Sequence, residues 1–224
     1  MNPLSVLRDA FLFFTRHLPG IATLCLPLIA AECLVRALVT SLTGPAHASA
    51  FELLVGLIFY PIYSAALILF LDARSRSLRP ATRNLLTAAL PLWPSFAVLA
   101  GLTTLLIMLA GALFLPLALW LMVKLAFAEF LLVLRQLPPL QALRESFLLS
   151  TGHFWSLLVC VLLVIAPLWL LDDWTLKLLG EQPDAVGSLL LDMLNGFLQL
   201  FSGVVLFRCF MLCSQQPTAT PHDN

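Results

Sequence analysis

The sequence predicts an all-α membrane protein with six transmembrane helices, arranged as three hairpins that each follow an amphipathic interfacial arm helix. Hydrophobic residues make up 61% of the 224 residues, charged residues only 11%, and the mean hydropathy is +0.99. This composition excludes a soluble globular domain. The length suffices for about six spans of roughly twenty residues with short connections. The formal net charge is zero, which gives no reason to expect a nucleic-acid partner.

An internal repeat at an offset of 136 residues organises the chain. Residues 3–17 recur as residues 139–153 with eight identities in fifteen positions, and Asp9 and Glu145 keep the same charge. The identical pairs are Pro3/Pro139, Leu4/Leu140, Leu7/Leu143, Arg8/Arg144, Phe11/Phe147, Leu12/Leu148, Thr15/Thr151 and His17/His153. So many identities between two segments of one chain indicate an internal duplication.

Each copy of the repeat has the residue spacing of an amphipathic helix. We assign one side of this helix to Leu4, Leu7, Phe11 and Phe14 in the first copy and to Leu140, Leu143 and Phe147 in the second. The opposite, polar side is expected to carry Arg8 and Arg144. Since each copy leads directly into a long apolar segment, the helix should lie along the membrane interface with its arginine toward lipid phosphates. A linker helix without lipid specificity is the alternative.

Six apolar segments follow one another along the chain. The predicted spans are residues 18–39, 51–71, 95–113, 116–134, 154–171 and 188–209. They form three units of one membrane domain (residues 1–213), namely 1–71, 80–135 and 139–213, and the arm of the middle unit matches the repeat only loosely. An acidic loop is expected at residues 172–187, and a short disordered tail at residues 214–224.

The distribution of basic residues gives the orientation. If both termini are cytoplasmic, nine Lys and Arg residues lie inside and two lie outside. The inner residues are Arg8, Arg16, Arg74, Arg76, Arg79, Arg83, Arg135, Arg144 and Arg208, and the outer ones are Arg36 and Lys177. By the positive-inside rule this asymmetry predicts cytoplasmic N- and C-termini.

The stretch ALRESFLLSTGHFW, preceded by a proline-broken hairpin, and the ending LFRCFML resemble the YciC family of bacterial inner-membrane proteins. More distantly they are similar to the membrane domain of some glycerophosphodiester phosphodiesterases. The likeness covers essentially the whole chain and is most specific around Arg144, Ser146, Thr151, Phe154 and Trp155. The chain departs from the pattern where Leu follows Pro116 and where Glu129 replaces a proline. The resemblance implies a six-span protein of the bacterial inner membrane with a role in envelope or lipid upkeep, and no phosphodiesterase chemistry carries over.

Ionisable and amide side chains within the spans are candidates for function, because they are costly in a bilayer. The candidates are Glu32, Arg36, Lys124, Glu129, Asp192, Asn195 and Gln199. Glu32 and Arg36 are four residues apart and can pair. Lys124 and Glu129 point about 140° from each other on a helix, so each needs a partner elsewhere.

The last span carries a stripe of polar and small residues at helical spacing. The stripe consists of Asp192, Asn195, Gly196, Gln199 and Gly203. We expect it to face protein or water, either as a packing seam between helices or as a polar pathway. The charged groups of the spans likewise have two interpretations, a structural cluster or the lining of a path.

No catalytic or metal-binding motif is present in the sequence. The five cysteines lie within or at the ends of apolar segments, which is not typical of a disulfide framework or a zinc site. The sequence therefore predicts no catalytic residue, no metal and no cofactor. Two functions remain. The first is a non-enzymatic protein that binds or organises phospholipid, with Arg8 and Arg144 as headgroup contacts. The alternative is a small transporter or channel whose path is lined by the fourth and sixth spans. Partner proteins and the oligomeric state are left open.

Overall fold

A computed structural model describes residues 3–43, 48–179 and 185–215, and those ranges fold into α-helices with short connections. The helices are α1 (Pro3–Thr43), α2 (Ala48–Ser75), α3 (Thr82–Ala89), α4 (Trp93–Leu113), α5 (Leu115–Leu125), α6 (Ala128–Arg135), α7 (Pro139–Leu149), α8 (Phe154–Leu179) and α9 (Ala185–Gln215). Two 3-10 turns, Leu90–Leu92 and Thr151–His153, precede α4 and α8. The described part of the chain contains no β-strand, as predicted.

Five helical segments are long and apolar enough to cross a membrane. They are Pro3–Leu42, Phe51–Ser75, Thr82–Leu113, Leu115–Arg135 and Gly187–Ser214. A sixth candidate combines Pro139–Leu149 with Phe154–Val164, two helices that meet at 107°. These segments indicate a multi-pass membrane protein.

The two copies of the repeat differ in how they join the helix that follows. In the first copy α1 continues without interruption from Pro3 to Thr43, so the prediction of a separate arm helix is wrong there. In the second copy α7 ends at Leu149 and a 3-10 turn leads into α8. Gly152 stands where the first copy has Arg16, and glycine is a poorer helix former. Ser150 adds a competing bond from its hydroxyl to the Phe147 carbonyl.

The middle of the chain follows the predicted boundaries closely but contains an extra break. The turn between α4 and α5 falls at the extended residue Phe114, and Pro116 lies in the first turn of α5, where no helical amide bond is lost. The span predicted at residues 116–134 is interrupted at residues 126 and 127, which separate α5 from α6. This interruption leaves backbone groups without helical partners.

Near the C-terminus the helices are longer than predicted. The predicted bounds of the acidic loop, residues 172–187, are wrong at both ends, because α8 continues to Leu179 and α9 begins at Ala185. Residues 180–184 lie outside the described part. Helix α9 continues to Gln215, so the first two residues of the predicted tail are helical, and residues 216–224 lie outside the described part.

Sequential helices pack against one another, and the first and last long helices also meet. Helix α1 packs against α2, α4 against α5 and α8 against α9, while α9 also packs along α1. Phe14 of α1 contacts the rings of Phe197 and Phe201 at centroid distances of 5.8 and 5.6 Å. The arm segment of α1 is therefore partly covered by α9.

Candidate functional site

The repeated residues lie mainly on the exposed surface of both copies. Leu4 and Leu140 are 66% and 72% exposed, and Leu12 and Leu148 are 58% and 67% exposed. Phe11, Phe147, Thr15 and Thr151 are exposed as well. Most of the residues that the two copies share are thus exposed, whereas Leu7 and Leu143 are partly buried against the core.

The positions buried in both copies are different residues. These pairs are Val6/Ala142, Ala10/Ser146 and Phe14/Ser150. In a duplication whose identities were needed for internal packing, the buried residues would be the ones retained. The common feature of the two copies is therefore their exposed surface, which we call the repeated face: Leu4, Arg8, Phe11, Leu12 and Thr15 with their equivalents Leu140, Arg144, Phe147, Leu148 and Thr151.

Arg8 and Arg144 lie within the repeated face. Arg8 is one turn from Leu4 and one turn from Phe11, so these three residues share a side of the helix. The prediction that Arg8 faces opposite to the apolar residues is therefore wrong. Phe14, assigned to the same apolar side, is instead buried inside the protein.

Neither arginine is neutralised by its neighbouring carboxylate. Glu145 forms an ion pair with Arg135, with 3.2 Å between the carboxylate oxygen and Nη1, instead of pairing with Arg144. Asp9 is exposed, and among the residues described it forms no ion pair with Arg8. Both guanidinium groups are thus open to an external anion.

Glu32 and Arg36 form the ion pair that their spacing predicts. Arg36 donates to the carboxylate of Glu32, which is buried, while the Arg36 side chain is half-exposed. Gly56 of α2 leaves room for this pair, since a Cβ there would lie 3.1 Å from Nη2 of Arg36. The pair is therefore built into the contact between α1 and α2.

Glu129 and Lys124 have separate partners, as their angular separation predicts. The Tyr60 hydroxyl donates to Oε1 of Glu129 at 2.7 Å, and Ser64 approaches Oε2 at 3.4 Å. These bonds join α2 to α6. On α5, the buried Lys124 donates from Nζ to the Thr151 hydroxyl at 2.9 Å.

Aromatic rings also surround the Lys124 ammonium. Nζ lies 4.9 Å from the ring centroid of Phe147 and 5.9 Å from those of Trp120 and Phe154. Cation–π contacts of this kind partly compensate a desolvated ammonium group. Among the described residues, the Lys124 ammonium is therefore stabilised by a hydroxyl and aromatic rings and not by a carboxylate.

The polar stripe of α9 divides between a packed and an exposed part. A Cβ at Gly196 would lie 3.0 Å from Cγ2 of Ile29 in α1, and one at Gly203 would lie 3.5 Å from Leu67 in α2. The two glycines therefore let α1 and α2 each approach α9 closely. Asp192 and Gln199 are exposed, and Asn195 is partly buried between them. The stripe thus lies along the edge of the helix interface.

Sequence reasoning missed a serine that bridges the break in the fourth span. The buried hydroxyl of Ser146 donates to the Lys124 carbonyl at 2.8 Å and accepts the Phe127 amide at 3.1 Å. The only sequence signal was a serine where the first copy has Ala10. A polar substitution at a buried repeat position indicates a hydrogen-bonding need that the other copy lacks.

Comparison of the chain with protein-family models, with curated proteins and with solved structures finds no match. The resemblance to the YciC family therefore rests on the sequence motifs alone. Within the described residues, no group of three or more His, Cys, Asp or Glu side chains is placed to hold a metal ion. The five cysteines are free and buried.

Proposed function

We propose that this chain is a non-enzymatic protein of the bacterial inner membrane that binds or organises phospholipid, as its resemblance to the YciC family suggests. The observation that carries the proposal is the repeated face, in which exposed residues are identical while the buried residues beside them differ. A common external contact would account for exposed residues that stay identical in two helices with different internal neighbours. Phe147 and Thr151 also contact Lys124 within the protein, so the argument rests on Leu4, Arg8 and Leu12 with their equivalents. For a membrane protein the common external contact is lipid.

The chemistry of the repeated face fits the membrane interface. Leu and Phe side chains enter the acyl boundary, and an arginine among them reaches the phosphate level. The planar fork of guanidinium matches a phosphate group. Each juxtamembrane cation contributes on the order of 1 kcal/mol near an anionic surface. Arg8 and Arg144 together would therefore contribute about 2 kcal/mol, a weakening of roughly thirtyfold if both are removed.

The proposal includes six spans with both termini cytoplasmic. Five spans are the long helices, and the sixth is α8, which the arm α7 precedes at a large angle. The nine-to-two distribution of Lys and Arg supports this orientation. This orientation would bring both repeated faces to the cytoplasmic side, that of α7 along the interface and that of the first copy at the cytoplasmic end of the continuous helix α1.

The second candidate function is a small transporter or channel. The ionisable residues of the spans favour it, because such groups often mark a pathway. However, Glu32 is paired with Arg36, Lys124 with Thr151 and Glu129 with Tyr60. Groups already bonded within the protein favour a role in helix packing over a role in conduction.

The test compares two double variants that remove the same charge. Arg8→Gln/Arg144→Gln should retain much less anionic phospholipid through purification in a mild detergent, as measured by lipid extraction and mass spectrometry. Arg16→Gln/Arg83→Gln removes two exposed arginines that lie outside the repeated face. It loses only the general attraction of two cytoplasmic cations and should retain more anionic phospholipid than Arg8→Gln/Arg144→Gln. The proposal would be contradicted if a folded Arg8→Gln/Arg144→Gln protein retained as much anionic phospholipid as the Arg16→Gln/Arg83→Gln protein. Solute flux in proteoliposomes that is lost in Lys124→Met would favour the transporter instead.

A further inference from the structure

Gln199 is an amide side chain on the exposed surface of the apolar helix α9. It lies near the middle of the membrane-spanning segment Gly187–Ser214, twelve residues from its start and fifteen from its end. At a rise of about 1.5 Å per residue, Gln199 is roughly 18 and 22 Å from the two ends. A glutamine side chain is too short to reach either membrane interface from that depth.

The Gln199 side chain points away from the core of the described chain. The residues of α9 that are buried next to it are Leu200, Val204 and Val205. On a helix they lie about 100°, 140° and 240° around the axis from Gln199. The centre of the buried side is therefore nearly opposite to Gln199, which faces the surroundings of the protein.

The Gln199 amide has no partner within the described part of the chain. Its backbone carbonyl accepts the Ser202 hydroxyl at 2.6 Å, whereas no described residue hydrogen-bonds its side-chain amide. An amide that faces acyl chains alone is costly, because hydrocarbon offers neither donors nor acceptors. Polar side chains in membrane spans accordingly bond across to other helices. Gln199 thus requires a polar group from a helix that covers this side of α9.

The residues around Gln199 have the spacing of a contact between two supercoiled helices. Asn195, Gln199, Ser202 and Leu206 follow one another at intervals of four, three and four residues, and we call these four residues the α9 seam. Such intervals average 3.5 residues, which keeps one stripe of a helix facing its partner along a left-handed pair. The small Ser202 permits close approach, and a polar residue within a seam fixes its register.

We propose that the α9 seam packs against the same seam of a second copy of this chain, and that the two Gln199 amides hydrogen-bond each other. Copies inserted in the same direction and related by a two-fold axis along the membrane normal bring equal depths together, so Gln199 meets its own equivalent. An amide has both donors and an acceptor, which makes this pair self-complementary. The seam contains no residue of the repeated face, so the contact is independent of the lipid proposal.

Dissociation of the full-length protein in micelles tests the contact. Copies that carry donor and acceptor dyes are mixed, and energy transfer is followed as the ratio of detergent to protein rises. Gln199→Leu should raise the dissociation constant by about tenfold, because each dimer loses the hydrogen bonds of both amides. Gln199→Asn keeps an amide and should have a smaller effect. The matched control is Leu194→Ala, because Leu194 is an exposed residue of α9 about 140° from Gln199 and should not affect the constant.

A second measurement keeps Gln199 and uses native membranes. Oxidation with copper phenanthroline should link two copies of Ser202→Cys into a product of twice the mass of the chain, and it should not link Leu194→Cys. The five natural cysteines are buried, so the wild-type protein gives the background. A product of another mass would place a different protein on the seam and overturn the proposal. Cross-linking of neither variant or of both equally, or an unchanged dissociation constant in Gln199→Leu, would overturn it as well.

Discussion

Ser146→Ala should destabilise the protein by about 2 kcal/mol, because the serine satisfies two backbone groups at the break between α5 and α6. Its hydroxyl is fully buried, accepts the Phe127 amide at 3.1 Å and donates to the Lys124 carbonyl at 2.8 Å. A buried donor left unbonded costs about 1–3 kcal/mol. Interhelical bonds in membrane proteins average nearer 0.6 kcal/mol, because their partners often find substitutes. The Phe127 amide lies in a buried break, so we expect a value toward the upper figure.

The assay is unfolding in mixed micelles by increasing SDS, followed by circular dichroism. Ser150→Ala is the matched control, because Ser150 approaches the same Lys124 carbonyl at 3.4 Å, beyond a normal hydroxyl bond. It should cost less than about 0.5 kcal/mol. Equal destabilisation by the two variants would refute the reasoning, since the loss would then follow from removing any buried hydroxyl in or directly after α7.

Three further predictions address other contacts and the orientation. Tyr60→Phe should cost about 1–1.5 kcal/mol in the same unfolding assay, because it removes the 2.7 Å bond to Glu129. Gly196→Ala should cost about 1 kcal/mol, because its Cβ would lie 3.0 Å from Cγ2 of Ile29 and this side chain must shift within the contact between α1 and α9. A cysteine introduced by Arg76→Cys should be labelled by a membrane-impermeant maleimide only after the cells are opened.

The first two of these predictions have controls within the chain. Ser64→Ala removes the weaker, 3.4 Å contact to Glu129 and should have a smaller effect than Tyr60→Phe. Gly152→Ala should be tolerated, because nothing lies within 4 Å of a Cβ at that position. A stable Gly196→Ala protein would show that α1 and α9 are packed less closely than described. Labelling of Arg76→Cys in intact cells would reverse the proposed orientation.

Helix boundaries in the middle of the chain were predictable because a membrane span is a long, strong signal. The turn expected between residues 113 and 116 occurs at Phe114, and the fourth segment ends at Arg135, one residue beyond the prediction. The pairing of Glu32 with Arg36 was predictable for a similar reason, since both residues lie on one helix at a favourable spacing.

Partners from other helices could not be predicted from helical spacing. Glu129 bonds Tyr60, which is 69 residues away, and Lys124 bonds Thr151 after a break and a change of helix direction. Spacing within one helix shows that Lys124 and Glu129 need external partners, but tertiary packing decides which partners they have. The break at residues 126 and 127 was missed because no Gly or Pro marks it.

The divergence of the two repeat copies follows from their different surroundings. The second copy packs over the α5–α6 break and needs the Ser146 hydroxyl, whereas the first copy has Ala10 at the same position. Helical continuity differs as well. Helix α1 of the first copy continues past Arg16, whereas α7 of the second copy ends shortly before Gly152, the equivalent position. Internal neighbours therefore explain why the buried residues changed. Phe147 and Thr151 of the repeated face also contact Lys124. For Leu4, Arg8 and Leu12 with their equivalents, internal neighbours offer no reason to stay the same and a shared external neighbour does, which is why we propose that they face lipid.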